Sequence, residues 1–131
     1  MSFVNVGRNM IRDWMSGGGY SGDFPQSITM GSGTTASVVT DTALEHEIGS
    51  TSNAGSIYRI CPMTSVAVAN QEVRYEAVFP SIVGSNTTFS EIGIFNRSGT
   101  GLGSLFARAV FNATQKTINE EWDTLCYIKL G

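Results

Sequence analysis

A single histidine, His46, is the only imidazole in the chain. A histidine-dependent triad or a multi-histidine metal site therefore has at most one member to draw on, and nothing beside His46 reads as a nucleophile turn. Charge is scarce as well. Only 15% of residues are charged, the net charge is −3, and the 8 Lys and Arg residues stand singly from Arg8 to Lys129, so no basic stripe tracks a phosphate backbone. Nucleic acid is not an expected partner. No apolar run is long enough to cross a bilayer, and the opening "MSFVNVGRNMIRDWM" carries charges inside its apolar stretch, which fits neither a signal peptide nor an anchor. No membrane partner is expected. The 2 cysteines, Cys61 and Cys126, lie far apart in strand-like segments, and without a secretory signal buried thiols are expected over a disulfide.

What is present points to one mainly β domain. At 131 residues, 41% of them hydrophobic, the chain is long enough for a single core, with a surface of Ser, Thr, Asn and Gly instead of ion pairs. Val6, Met10, Ile11, Trp14 and Met15 recur at three- and four-residue spacing, which predicts a helix over 5–16 capped by Asn5. The glycines of "SGGGYSGDFP" and Pro25 end it, giving an exposed, mobile loop over 17–25. From residue 26 to 131 the period becomes two. "QSITMGSG", "SIYRIC", "QEVRYEAVFP", "TTFSEIGIF", "SLFARAVF" and "EWDTLCYIKL" read as strands separated by Gly, Asn and Ser turns. One helix, several short strands and no βαβ alternation predict an antiparallel β-sandwich with an N-terminal α-helix.

Four segments invite a chemical reading. "MGSGTT" lacks the Gly-Lys-Ser/Thr ending of a phosphate loop and reads as a turn. "LEHEIG" sets His46 between Glu45 and Glu47, but adjacent side chains cannot converge on one ion, so a polar connector anchored by Leu44 and Ile48 is expected. "NTT", "NRS" and "NAT" match the glycosylation pattern at Asn86, Asn96 and Asn112, and are read as chance matches in a Ser/Thr/Asn-rich chain. No catalytic, metal or cofactor-binding residue is assigned.

The fourth segment is "FSEIGIFNRSG", where Glu91 stands among Phe89, Ile92, Ile94 and Phe95. If the hairpin closes symmetrically, Phe89 faces Val110, Glu91 faces Arg108, Gly93 faces Phe106 and Phe95 faces Ser104. Phe89, Glu91, Gly93 and Phe95 then share a face opposite Phe106, Arg108 and Val110. A cross-strand ion pair of this kind contributes about 0.2–1 kcal/mol, so its role would be to hold register. Gly93 would leave room for Phe106. A structural role for Glu91, Gly93, Arg108 and Phe106 is the expectation. Under it Glu91→Lys or Arg108→Glu disrupts folding or assembly, and the two together partly restore it.

The order "ITMGSGTT", "TALEHEI", "VRYEAVFP", "FSEIGIFNRSG" and "GSLFARAVF" resembles the N-terminal attachment module of phage tail fibres of the tail-collar type. The resemblance runs from the helix to about Phe111, and "EIGIF" is its sharpest element. It implies a non-enzymatic structural protein of a tailed-phage virion, made in the host cytoplasm, that attaches to tail or baseplate proteins and forms a homo-oligomer, often a trimer. Two departures stand out. Gly49 occupies the place where the family commonly has an Arg, and the sequence ends at Gly131 without a fibre shaft. Expected roles are therefore an adaptor, a short fibre or a capsid decoration protein, with Val6, Met10, Ile11 and Trp14 as a candidate interface. A carbohydrate-binding sandwich stacking sugars on Trp14, Tyr20, Tyr58, Tyr75 or Trp122 is a second class. A glycan hydrolase drawing on Glu45, Glu47, Glu91, Glu120 and Glu121 is a third.

Overall fold

The computed structural model describes residues 1–16, 24–48, 64–68, 72–80, 86–97 and 103–129. Along the chain lie β1 (Ser2–Phe3), α1 (Asn5–Met15), β2 (Ser27–Gly31), β3 (Thr64–Val68), β4 (Glu72–Phe79), β5 (Thr87–Phe95), β6 (Leu105–Lys116) and β7 (Trp122–Lys129). They form two antiparallel sheets, ordered β1-β6-β5-β2 and β3-β4-β7. This is the mainly β sandwich with one N-terminal helix that the periodicity predicts. The "SIYRIC" segment, Cys61, Tyr20, Tyr58 and most of the glycine loop lie outside the described residues.

Period-two alternation, broken by irregularities in β5 and β6, sets which side chains meet between the sheets. Ile28, Met30, Phe89, Ile94, Phe106 and Ala107 from the first sheet are buried with Ala77, Phe79, Cys126 and Ile128 from the second. On β7 the expected alternation holds, with Cys126 and Ile128 buried and Asp123, Leu125, Tyr127 and Lys129 exposed.

The helix crosses the first sheet over β6. Gly7 makes this possible, because a Cβ there would lie 2.2 Å from the Phe106 carbonyl oxygen. Its first turn begins one residue earlier than Asn5 would set it. The Arg8 N–H donates to the Val4 carbonyl at 3.0 Å, while the Asn5 N–H donates to Val39 O at 2.7 Å. Met10 is buried and Val6 and Ile11 pack against the core. Of the candidate interface, Met10 is therefore covered by its own chain, while Val6 and Ile11 are half-buried. The Trp14 side chain lies outside the described residues.

Two irregularities correct the predicted hairpin register. Asn96 and Ser104 close the loop, with the Ser104 N–H donating to Asn96 Oδ1 at 2.7 Å and the Asn96 N–H to Ser104 O at 3.3 Å. Phe95 then pairs with Leu105 and Ile94 with Ala107, so Phe106 is an extra residue, a bulge. Each effect slips the register by one residue, and together they leave Glu91 opposite Val110 and Gly93 opposite Arg108. Because the two slips add, Glu91 and Arg108 stay on one face, as diagonal neighbours. The bulge turns Phe106 to the core, edge-on to Phe3 with centroids 5.0 Å apart, and away from Arg108. A second shift, between Phe89 and Glu91, turns Phe89 to the core as well.

Candidate functional site

The face of β5 that points away from the sandwich core carries Glu91, Gly93 and Phe95, and none of them reaches solvent. Residues 32–48 run across this face as a strap. Leu44 seats it, forming a small apolar cluster with Val4, Phe95 and Leu105. Gly93 has no side chain because Leu44 occupies that space: a Cβ there would lie 2.7 Å from Leu44 Cδ2. Leu44, and not Phe106, is thus the residue that Gly93 accommodates.

The strap returns along the outer edge of β2. Ser32 N–H donates to His46 O at 3.0 Å, Ile48 N–H donates to Met30 O at 3.1 Å, and Gly31 bridges Glu47. An edge strand that would otherwise expose its backbone is closed in this way, and all five residues of β2 are buried.

At the centre lies the Glu91 carboxylate, fully buried and accepting four hydrogen bonds. Its Oε1 accepts from the Gly33 N–H at 2.9 Å and the His46 N–H at 2.7 Å. Its Oε2 accepts from the Glu45 N–H at 3.0 Å and from Arg108 Nε at 2.9 Å. The Arg108 guanidinium, 2% exposed, continues the network with Nη1 to Asp41 Oδ2 at 3.0 Å and Nη2 to Thr35 O at 3.0 Å. A buried charge is tolerated when it is paired and hydrogen-bonded, and here both Glu91 oxygens accept two bonds each and every Arg108 nitrogen has an acceptor.

Gly31 and Gly33 let the strap come this close. A Cβ on Gly31 would lie 2.5 Å from Glu91 Oε1, and one on Gly33 would lie 2.6 Å from it. The "MGSG" turn therefore uses its N–H for an internal carboxylate and not for a phosphate. Burial pushes the Glu91 pKa up, but the N–H groups of His46 and Glu45, the Arg108 guanidinium and the Gly33 N–H outweigh it, and the carboxyl is held below its ordinary value. For Arg108, burial works against the charge, and Glu91 and Asp41 more than offset it.

The structure thus brings Glu91, Gly93 and Arg108 together and leaves Phe106 in the opposite layer. Leu44 and Ile48 anchor the connector as expected from the sequence, but sequence reading missed its path over β5, the Asp41 carboxylate and the three backbone donors. The signal available was the spacing of Gly31 and Gly33, a two-residue repeat on one face of a strand end, which marks a close backbone approach.

The remaining candidates have other partners. Glu120 accepts from Trp122 Nε1 at 3.0 Å and Thr117 Oγ1 at 2.7 Å, fixing the turn before β7. Tyr75 and Trp122 are committed edge-on to Phe106 and Phe89. Asn96 is buried as the hairpin's loop acceptor, and His46 is exposed beside Glu45. Cys126 is a free buried thiol whose pKa is pushed up to about 11 by burial. Among the described residues no group of three His, Cys, Asp or Glu side chains could hold a metal ion, and no helix is long and apolar enough to cross a membrane. A cavity of about 460 Å³ opens beside β7, lined chiefly by Ile92, Phe111, Trp122 and Cys126. No protein-family model matches this chain, and neither a curated protein nor a solved structure does.

Proposed function

We propose that the chain is a non-enzymatic structural module of a tailed-phage virion, acting through protein interfaces as a tail-fibre, baseplate or tail adaptor. The observation that carries this reading is the use made of "EIGIF". Glu91, the residue of the motif best suited to chemistry, has both oxygens occupied by three backbone N–H groups and Arg108, and its neighbour Gly93 seats Leu44. A carboxylate so engaged and held below its usual pKa has no lone pair or proton free for acid–base work. The motif is then a fastening for the strap, which suits a module that must hold its shape within an assembly. The resemblance to tail-collar fibre modules supplies the rest of the reading, the virion and the attachment role.

The test is mass spectrometry of purified particles produced from the genome that encodes the chain. The proposal expects the protein in the particle at a stoichiometry matching the tail proteins. A stoichiometry matching the major capsid protein would move it to a decoration role, and absence from the particle would overturn the virion reading.

A further inference from the structure

The free edge of β7 lies at the end of its sheet, paired to β4 on one side and to nothing among the described residues on the other. Open strand edges are ordinarily short, charged throughout or covered. Here eight residues have no strand beside them on this side among the described residues, and the central four, Thr124 to Tyr127, carry no charge. On the solvent face of β7, Leu125 is 45% and Tyr127 43% exposed. Val78 of β4 adds to the same apolar face at 39%.

Charge stands only at the two ends of the strand's outer face, with opposite signs: Asp123 at one and Lys129 at the other. We propose that two copies of this chain pair antiparallel along β7 about a two-fold axis through Cys126, joining their three-stranded sheets into one of six strands. In this register Asp123 of each copy meets Lys129 of the other, and Leu125 meets Tyr127, each contact occurring twice. On the inner face Thr124 meets Ile128. The cavity beside β7 lies beneath the seam, where the incoming strand would cover it.

The pattern selects this register over its neighbours. Centring the pair on Leu125 sets Asp123 against Tyr127, and centring it on Tyr127 sets Lys129 against Leu125; either slip loses both ion pairs. A slip that moves the axis between residues sets outward side chains against inward ones and is excluded by the pleat. Within one chain Asp123 lies against another carboxylate, Glu76, so a second copy's lysine would relieve a like-charge contact. Lys129 stands across from Glu72 on β4 and makes no ion pair among the described residues. This inference stands on β7 alone and is independent of the virion reading.

Sedimentation equilibrium on the full 131-residue chain tests it. The native protein is expected to be a dimer at micromolar concentration. Asp123→Lys and Lys129→Asp each replace two attractions by two repulsions, and should weaken dimerisation by about tenfold or more. Each should keep the native circular dichroism spectrum, since both positions are exposed, and should match the Tm of native protein diluted until it is monomeric. A one-to-one mixture of the two variants should dimerise again, because both cross-strand pairs are then of opposite sign. A native protein that is monomeric or trimeric would overturn the proposal. So would folded single variants that dimerise like the native chain, or a mixture that stays monomeric.

Discussion

Glu91→Gln removes one charge and almost no volume, so it isolates the electrostatics of the strap's fastening. Four N–H donors converge on the two carboxylate oxygens, two on each. An amide offers one oxygen and one NH2 group, so whichever way Gln turns, two buried donors face a donor. Each unmade buried hydrogen bond costs about 1–3 kcal/mol. Breaking a buried ion pair from one side costs about 3–5 kcal/mol, and here Arg108 would keep Asp41 as its remaining close carboxylate. Both routes lead to a loss of about 3–5 kcal/mol, or a Tm lower by roughly 10–20 °C for a chain of this size. Urea unfolding followed by circular dichroism measures it. A loss below about 1 kcal/mol, the range of an exposed pair, would refute the claim that the carboxylate holds the strap.

Three further outcomes follow from the same geometry. The charge swap Glu91→Lys with Arg108→Glu should not rescue either single variant, because three of the four groups bonded to Glu91 are backbone N–H donors and a lysine offers them no acceptor; thermal melts of all four proteins decide it. Gly7→Ala gains about 1 kcal/mol of helix propensity yet should lower stability by about 1–3 kcal/mol. The new Cβ meets the Phe106 backbone, which cannot rotate away, and a rise in Tm would contradict the contact. Because the folded Glu91 pKa is depressed, its stabilisation is present above the unfolded value of about 4.3 and lost as pH falls through the folded one. Native stability should therefore drop in that acid window, and Glu91→Gln should flatten the drop.

The helix and the strands Ser27–Gly31, Glu72–Phe79, Thr87–Phe95 and Trp122–Lys129 were legible because each carries its own hydrophobic period. Glu91 could be matched to Arg108 for a related reason. An acid among aromatics needs a cation, and pleat parity limits where that cation can stand. The direct pairings were not legible, since the bulge at Phe106 and the shift after Phe89 depend on which side chains the core admits. Two-residue β1 and the five-residue extension of β6 past Phe111 lack any pattern long enough to detect. The strap was hidden most thoroughly. Its hold on the sheet runs through the N–H groups of Gly33, Glu45 and His46, and backbone donors leave no mark in side-chain identity. Only glycine spacing betrays them.

Hydrogen exchange at those three amides tests the fastening most directly. In the native protein the N–H protons of Gly33, Glu45 and His46 should be protected, although Glu45 and His46 have exposed side chains. In Glu91→Gln under native conditions the three should lose protection together, while amides in the β4–β7 ladder keep theirs. Protection that persists at all three positions would contradict the account, because the strap would then be held by something other than the Glu91 carboxylate.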